Sequence, residues 1–345
     1  MRTFQYLLSV MLLLGGGIVQ AADALTIVVM DPLSRELACD CVKGYAQRNY
    51  NELGAYLQRT LGIPVEVLFG EDLASIKTKL RVGAEPGLII GKSSVVLSEA
   101  AKHGLVVTAR AALTGLDGST AQHGLIVVRR DSPVQSIADL KNCRILFGPA
   151  DAEEKSKAAV ALLEKEGVPV PKELETSPSC STAADELMKL APDAKAAAVI
   201  SSYAQPLLAG CGTIKKDDLR VVGRTADVPF ITAFTTAALA SERVDAIANA
   251  LLDSAMEPKL LKAMESLMGF VELPDSGAVW NQFRGPNRDG TAPRLPDLLP
   301  GAAEFAWSVE LPSDGIGGIA ADDEVVVIGG RDSLDASDFF FAWMR

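Results

Sequence analysis

Two histidines in 345 residues, neither of them near a cysteine, leave little from which a metal centre could be built. His103 and His123 each read as surface loop residues, and no nucleophile–base pair is visible in the chain. Hydrolytic chemistry therefore has no positioned pair to work with. Basic residues are also short, since 33 lysines and arginines stand against 44 aspartates and glutamates, for a net charge of −11. Without a basic stripe the chain is a poor candidate for nucleic acid. A local pocket can still differ in sign from the whole surface. Long apolar runs are missing as well. Tyr6–Leu14 is apolar but too short to span a bilayer comfortably.

That short run suits an export signal over Met1–Ala24. Arg2 gives a charged start, and Val19-Gln20-Ala21 or Ala22-Asp23-Ala24 offers small residues at a cleavage site. No cysteine follows closely enough to carry a lipid anchor. The expectation is a cleaved signal, a periplasmic protein and a mature chain that does not span the membrane. Export bears on the five cysteines, Cys39, Cys41, Cys143, Cys180 and Cys211, because pairs are expected in an oxidising compartment and an odd count leaves one over. Cys143 leads into an apolar strand and resembles a buried free thiol. Cys39 and Cys41 flank a single aspartate, where a mutual bridge is strained; metal binding and free thiols are the alternatives.

What is present is an alternation of strands and helices. Leu25–Met30 is a short apolar run closed by Asp31-Pro32, as expected of a buried parallel strand. Tyr45–Leu61 carries Tyr50, Leu53, Leu57 and Leu61 at helical spacing and stops at Gly62 and Pro64. Val65–Phe69 is a second strand, Asp72–Arg81 a helix and Gly87–Gly91 a third strand. This order predicts a parallel α/β sheet with right-handed crossovers. Lys92, Ser93 and Ser94 then open a helix over Val95–Lys102, and two hydroxyls and an ammonium at a helix N-terminus make an oxyanion half-site. The alternative is a plain cap with a solvated lysine. Gly91–Ser94 also echoes the end of a nucleotide-binding phosphate loop, but the upstream glycine is missing because Pro86 stands in its place.

The centre of the chain is a strand ending at Arg129-Arg130, a turn at Asp131-Ser132-Pro133, a segment Ile137–Lys141, a second strand Arg144–Phe147 and, after Gly148-Pro149, a helix from about Asp151. A helix N-terminus facing the carboxyl end of a strand is where small anions bind in open α/β sheets. Val128–Pro133, Ile137–Lys141 and Phe147-Gly148, with Tyr50–Val67 upstream, resemble periplasmic solute-binding proteins of the phosphate, phosphite and phosphonate class. The resemblance implies a type II two-lobed periplasmic-binding-protein fold, with residues 25–123 and 223–272 in one lobe and 124–222 in the other. Crossings near Ala121–Gly124 and Thr225–Phe230 would form the hinge. It implies a small anionic ligand, no cofactor, no catalysis and an ABC-type membrane permease as partner.

On this reading the ligand-binding residues are Lys92, Ser93 and Ser94 from one side and Asp151, Lys155 and Ser156 from the other. Ser201, Ser202 and Tyr203 follow the strand Ala194–Ile200, with Tyr203 either closing over the ligand or forming a wall. Cys180 and Cys211, both read as loop residues of the second lobe, are expected to pair. The loop departs from the family in its acids, for Asp151, Glu153 and Glu154 oppose a doubly charged anion. Either Lys155 and Ser156 turn inward, or the ligand is less negative, cationic or bridged by metal.

Composition changes at Val271. Trp280–Gly290 resembles the opening of pyrroloquinoline-quinone-type β-propeller repeats, and Trp307–Pro312 and Glu324–Gly330 read as further strands. The residues that follow are too few for the blades a propeller needs to close. A short incomplete β segment over 273–345, without quinone binding, is the expectation, and the exposed strand edges and the aromatic stretch from Asp338 are an aggregation liability. A sensor or scaffold in which the lobes couple to the propeller-like segment is the alternative to uptake.

Overall fold

A computed structural model describes residues 24–38, 47–81, 85–191, 193–210 and 212–273, and the backbone of strands within 319–321, 325–331 and 338–344. Residues 1–23 of the expected export signal, Cys39, Cys41, Cys211 and the stretches Trp280–Gly290 and Trp307–Pro312, expected to be propeller-like, lie outside the described residues.

The first half of the chain alternates as expected: β1 (Leu25–Met30), α1 (Tyr50–Leu61), β2 (Val65–Phe69), α2 (Leu73–Lys77), β3 (Leu88–Lys92), α3 (Ser93–Lys102) and β4 (Val107–Leu113). β1 is buried along its whole length because both faces are covered. Ile27 and Val29 pack with Tyr50, Leu53 and Leu57 of α1, while Val28 and Met30 pack with Ile76 and Val96 on the opposite face. α1 starts at Tyr50, not Tyr45, because Arg48 forms a bridge with Ser34 and is held in extended chain.

The chain then runs through β5 (Ala121–Gln122), β6 (Gly124–Arg129), β7 (Arg144–Leu146), α4 (Lys157–Lys165), α5 (Cys180–Lys189), β8 (Ala196–Ser201), α6 (Ala204–Gly210) and β9 (Leu219–Arg224). It returns through β10 (Val228–Pro229), β11 (Ile231–Thr236), α7 (Ser241–Asp253), α8 (Pro258–Ala263) and β12 (Phe270–Glu272). One sheet has the order β2-β1-β3-β11-β4-β12, the other β7-β8-β6-β9, and a ribbon of β5 and β10 lies between them. The larger sheet is mixed rather than parallel throughout. β1 runs parallel with β2 and β3, but β11 pairs antiparallel with both β3 and β4, and β12 antiparallel with β4. The returning chain reaches this sheet from the ribbon and enters beside β3 in the opposite sense.

In the smaller sheet β7 is parallel to β8, and β6 is antiparallel to its two neighbours. α5 covers one face through Ala184 and Leu187, and α4 the other through Ala159 and Leu163. Two local expectations are corrected here. The helix expected from Asp151 begins at Lys157, after a 3-10 turn at Glu153–Lys155. Cys180 is not in a loop but opens α5, where the Ser179 side chain caps the helix by accepting from the Thr182 amide. Beyond residue 318, β13 (Ile319–Ala321), β14 (Val325–Arg331) and β15 (Asp338–Met344) form an antiparallel sheet.

Gly124, where β6 leaves the ribbon, admits the 3-10 turn. A Cβ there would stand 2.1 Å from the carbonyl oxygen of Glu154. Backbone cannot yield as a side-chain tip can, so Gly124→Ala is expected to destabilise the fold by at least about 1–3 kcal/mol, the usual cost of overpacking. A urea unfolding titration checks this, and an unchanged midpoint would refute it.

Candidate functional site

Three chain segments converge on one carboxylate. Lys92 ends β3, Ser201 ends β8 and Gln122 lies in the ribbon. Glu154, in the 3-10 turn, is fully buried between them. Lys92 Nζ donates to Glu154 Oε1 at 2.7 Å, Ser201 Oγ donates to the same oxygen at 2.6 Å, and Gln122 Nε2 lies 3.4 Å from Oε2. Both charges are buried, with side-chain exposures of 6% for Lys92 and 0% for Glu154. Burial pulls the Lys92 pKa below its ordinary value; Glu154 opposes this, and the nearby Lys155 charge adds to it.

Lys155 turns inward, as the expected oxyanion site requires. Its stem packs on Gly148, where a Cβ would meet it at 2.5 Å. Its ammonium is also buried and reaches Cys180 Sγ at 3.7 Å, and no described carboxylate pairs with it. Two buried lysines, Lys92 and Lys155, thus accompany one buried carboxylate, Glu154, in this cluster. Cys180 is a free thiol among the described residues, and Cys211, the partner expected for it, lies outside them. The Ser201 amide donates to the Cys180 sulfur at 3.4 Å, and the Cys180 thiol donates to the Ser201 hydroxyl oxygen at 3.7 Å.

The remaining expected residues divide. Ser94 Oγ donates to the Asp151 carbonyl at 2.6 Å, which ties the start of α3 to the acidic loop. Asp151 itself points outward, with its carboxylate 3.8 Å from Lys102 Nζ. Ser93 is buried, and its amide donates to the Phe230 carbonyl. Ser156 does not face the cluster, because its hydroxyl donates to the Ala150 and Ala152 carbonyls within its own loop. Ser202 is likewise held by the ribbon: its amide donates to the His123 carbonyl, and its hydroxyl accepts from the His123 amide.

Tyr203 sits between this cluster and a second one. Its ring stacks on Phe230 at 5.1 Å, and the Arg48 guanidinium lies 5.5 Å from the same Phe230 ring on the centroid. Arg48 Nη1 contacts Asp31 Oδ2 at 3.0 Å, and the Tyr50 hydroxyl donates to that oxygen at 2.6 Å. Burial first, then the charges of Cys180, Glu154 and Asp31, hold the Tyr203 hydroxyl well above its ordinary pKa. The Ser201 side chain is a hydrogen-bond partner of that hydroxyl. Glu154, Gln122 and the Asp31–Arg48 pair were not expected in the site. The one sequence signal was the misfit of the acids after Gly148.

Among the described residues, no group of three or more histidines, cysteines or acids could hold a metal ion, and no helix is long and apolar enough to cross a membrane.

Several solved structures resemble this chain in fold. XAC2383 from Xanthomonas citri, bound to chloride ion, matches with a TM-score of 0.54 and 19% identity over 72% of this chain and 91% of its own. A binding-protein component of an ABC phosphonate transporter from Pseudomonas aeruginosa gives 0.52 and 14%, over 72% and 81%. PhnD1 from Prochlorococcus marinus, in complex with methylphosphonate, gives 0.50 and 13%, over 72% and 92%. These likenesses establish the periplasmic-binding-protein fold. Residues 44–277 match the family described as ABC transporter, phosphonate, periplasmic substrate-binding protein, and the chain belongs to that family. No curated protein matches it.

Two measurements probe the site's framework. Arg48→Met strands a buried Asp31 charge and is expected to cost about 3–5 kcal/mol, most of it recovered in the double variant with Asp31→Asn. Chemical denaturation of the three proteins decides this, and equal costs for the single and double variants would contradict it. The second is pH dependence at His123, whose Nδ1 lies 3.2 Å from Asp227 Oδ1 in the ribbon. Burial and then Arg224 hold its pKa below the ordinary 6.5, against Asp227. The unfolded chain then takes up the proton first as pH falls, so stability drops between pH 6.5 and the lower folded value and levels off beneath it. Tm followed across that window should show the drop in the wild type and lose it in His123→Gln.

Proposed function

We propose that this chain captures a small oxyanion, such as phosphate, phosphite or a phosphonate, between its two sheets and delivers it to an ABC-type membrane permease. The observation that carries this reading is the charge count of the buried cluster. Lys92 and Lys155 bring two ammonium groups inside, and Glu154 brings one carboxylate. A buried charge without a partner is costly. An anionic headgroup beside Lys155 supplies the missing partner, and Tyr203 provides a neutral donor for another of its oxygens. The methylphosphonate and chloride named for structures of similar fold are consistent with an anionic ligand. Asp151 does not oppose this reading as the sequence suggested, since it faces outward, and Glu154 is paired with Lys92.

The test is a thermal-shift series on the full exported chain with phosphate, phosphite, methylphosphonate, sulfate and neutral and cationic controls. Binding to the native state stabilises it by roughly 2.7 kcal/mol at a hundredfold excess over Kd. A response to phosphorus oxyanions that is lost in Lys155→Met is the expected outcome. No response to any anion, or an undiminished response in Lys155→Met, would overturn the reading.

A further inference from the structure

We propose that Glu154 is an internal occupant of the anion site: its carboxylate holds the two sheets together before any solute arrives, and a solute must take its place on Lys92 and Ser201. This deepens, and rests on, the reading of the cleft as an oxyanion site. The geometry is that of a bound anion supplied by the chain itself. The donors to Glu154 Oε1 come from the ends of β3 and β8, one from each sheet, at 2.7 and 2.6 Å. Gln122 of the ribbon meets the second oxygen at 3.4 Å. The carboxylate is fully enclosed, and its backbone is received by Gly124, the one residue type that leaves room for the Glu154 carbonyl. Beside it the Ser94 hydroxyl donates to the Asp151 carbonyl, a second bond between the sheets made by the same loop.

A buried ion pair holds a cleft closed when its attraction and hydrogen bonds outweigh the rehydration of both charges that opening allows. The single hydroxyl proton of Ser201 cannot serve Glu154 and a solute oxyanion at once. Glu154 is therefore a competitor whose local concentration is fixed by the chain, and it lowers the apparent affinity by the fraction of time that it occupies the site. Lys155, which has no carboxylate partner among the described residues, is the cation left over to attract the incoming anion. Glu154 acts on binding through displacement, as a positioning and selectivity residue, and need not touch the solute.

The experiment uses the full exported chain, Glu154→Gln and Glu154→Asp. Gln removes the charge at nearly constant shape. Asp keeps the charge but is one methylene too short to reach both Lys92 and Ser201, so it serves if the Gln variant folds poorly. Hydrogen exchange of segments 92–96 and 151–156, without added anion, reads closure directly, and calorimetry with phosphate and methylphosphonate reads affinity. The expected result is strong protection in the wild type without solute, protection lost in both variants and restored by anion, and affinity raised about tenfold or more in Glu154→Gln. Anion binding by Glu154→Gln but not by the wild type would support the proposal most strongly. Unchanged protection in both variants overturns it, whatever the affinities. Lost protection with no anion binding by any of the three proteins keeps Glu154 as the latch and sinks the oxyanion reading instead.

Discussion

The pairing of Lys92 with Glu154 is the interaction on which the approach of the two sheets depends. Neither charge could be buried alone, for an isolated ammonium or carboxylate in the interior costs several kcal/mol. Each is supplied by a different sheet, so each can be inside only when the sheets are close. Other contacts follow from that approach. The Ser94 hydroxyl meets the Asp151 carbonyl, the Tyr203 ring reaches Phe230, and Arg48 settles over the same ring. The second buried pair, Asp31 and Arg48, keeps the segment before α1 extended and in place. The site is built from two buried ion pairs with an aromatic stack between them.

The parallel half of the fold was readable because its signal is local. β1, β2 and β3 are apolar runs bounded by turn residues, and α1 shows its periodicity over four positions. What could not be read was the sense of the remaining pairings. Val107–Leu113 is largely alanine, threonine and arginine, and Ile231–Thr236 alternates weakly, so neither stands out as a strand that will be enclosed on both sides. Their antiparallel placement follows from where the ribbon returns the chain, a long-range fact with no local trace. Residues 179–182 show the reverse error: a run of serines around Cys180 reads as loop, yet Ser179 accepts from the Thr182 amide and starts a helix.

The candidate site was half legible for a related reason. Lys92 and Ser94 at a strand end, and Ser201 and Tyr203 at another, stand where the topology brings loops together. Lys155 was anticipated as one of two ways to reconcile the loop's acids with an anion. Glu154 was read as an unfavourable neighbour of that anion, because a carboxylate in sequence carries no sign of its partners. Those partners are 62 and 47 residues away. Gly124, which allows the Glu154 backbone so close to the ribbon, lies at a comparable remove and has no motif around it. Ser156 and Ser202 had the right chemistry in the right loops, but nearer carbonyls and amides claim them.

The ribbon and the site also share a reading frame. β10 ends at Pro229, and two residues later Ile231 stands opposite Lys92 in the ladder between β11 and β3. The Phe230 carbonyl between them accepts from the Ser93 amide. Because strand faces alternate with every residue, adding or removing one residue between Thr225 and Ile231 would turn β11 over and misplace the carbonyl that anchors the start of α3. The spacer between the sheets must therefore keep its residue count.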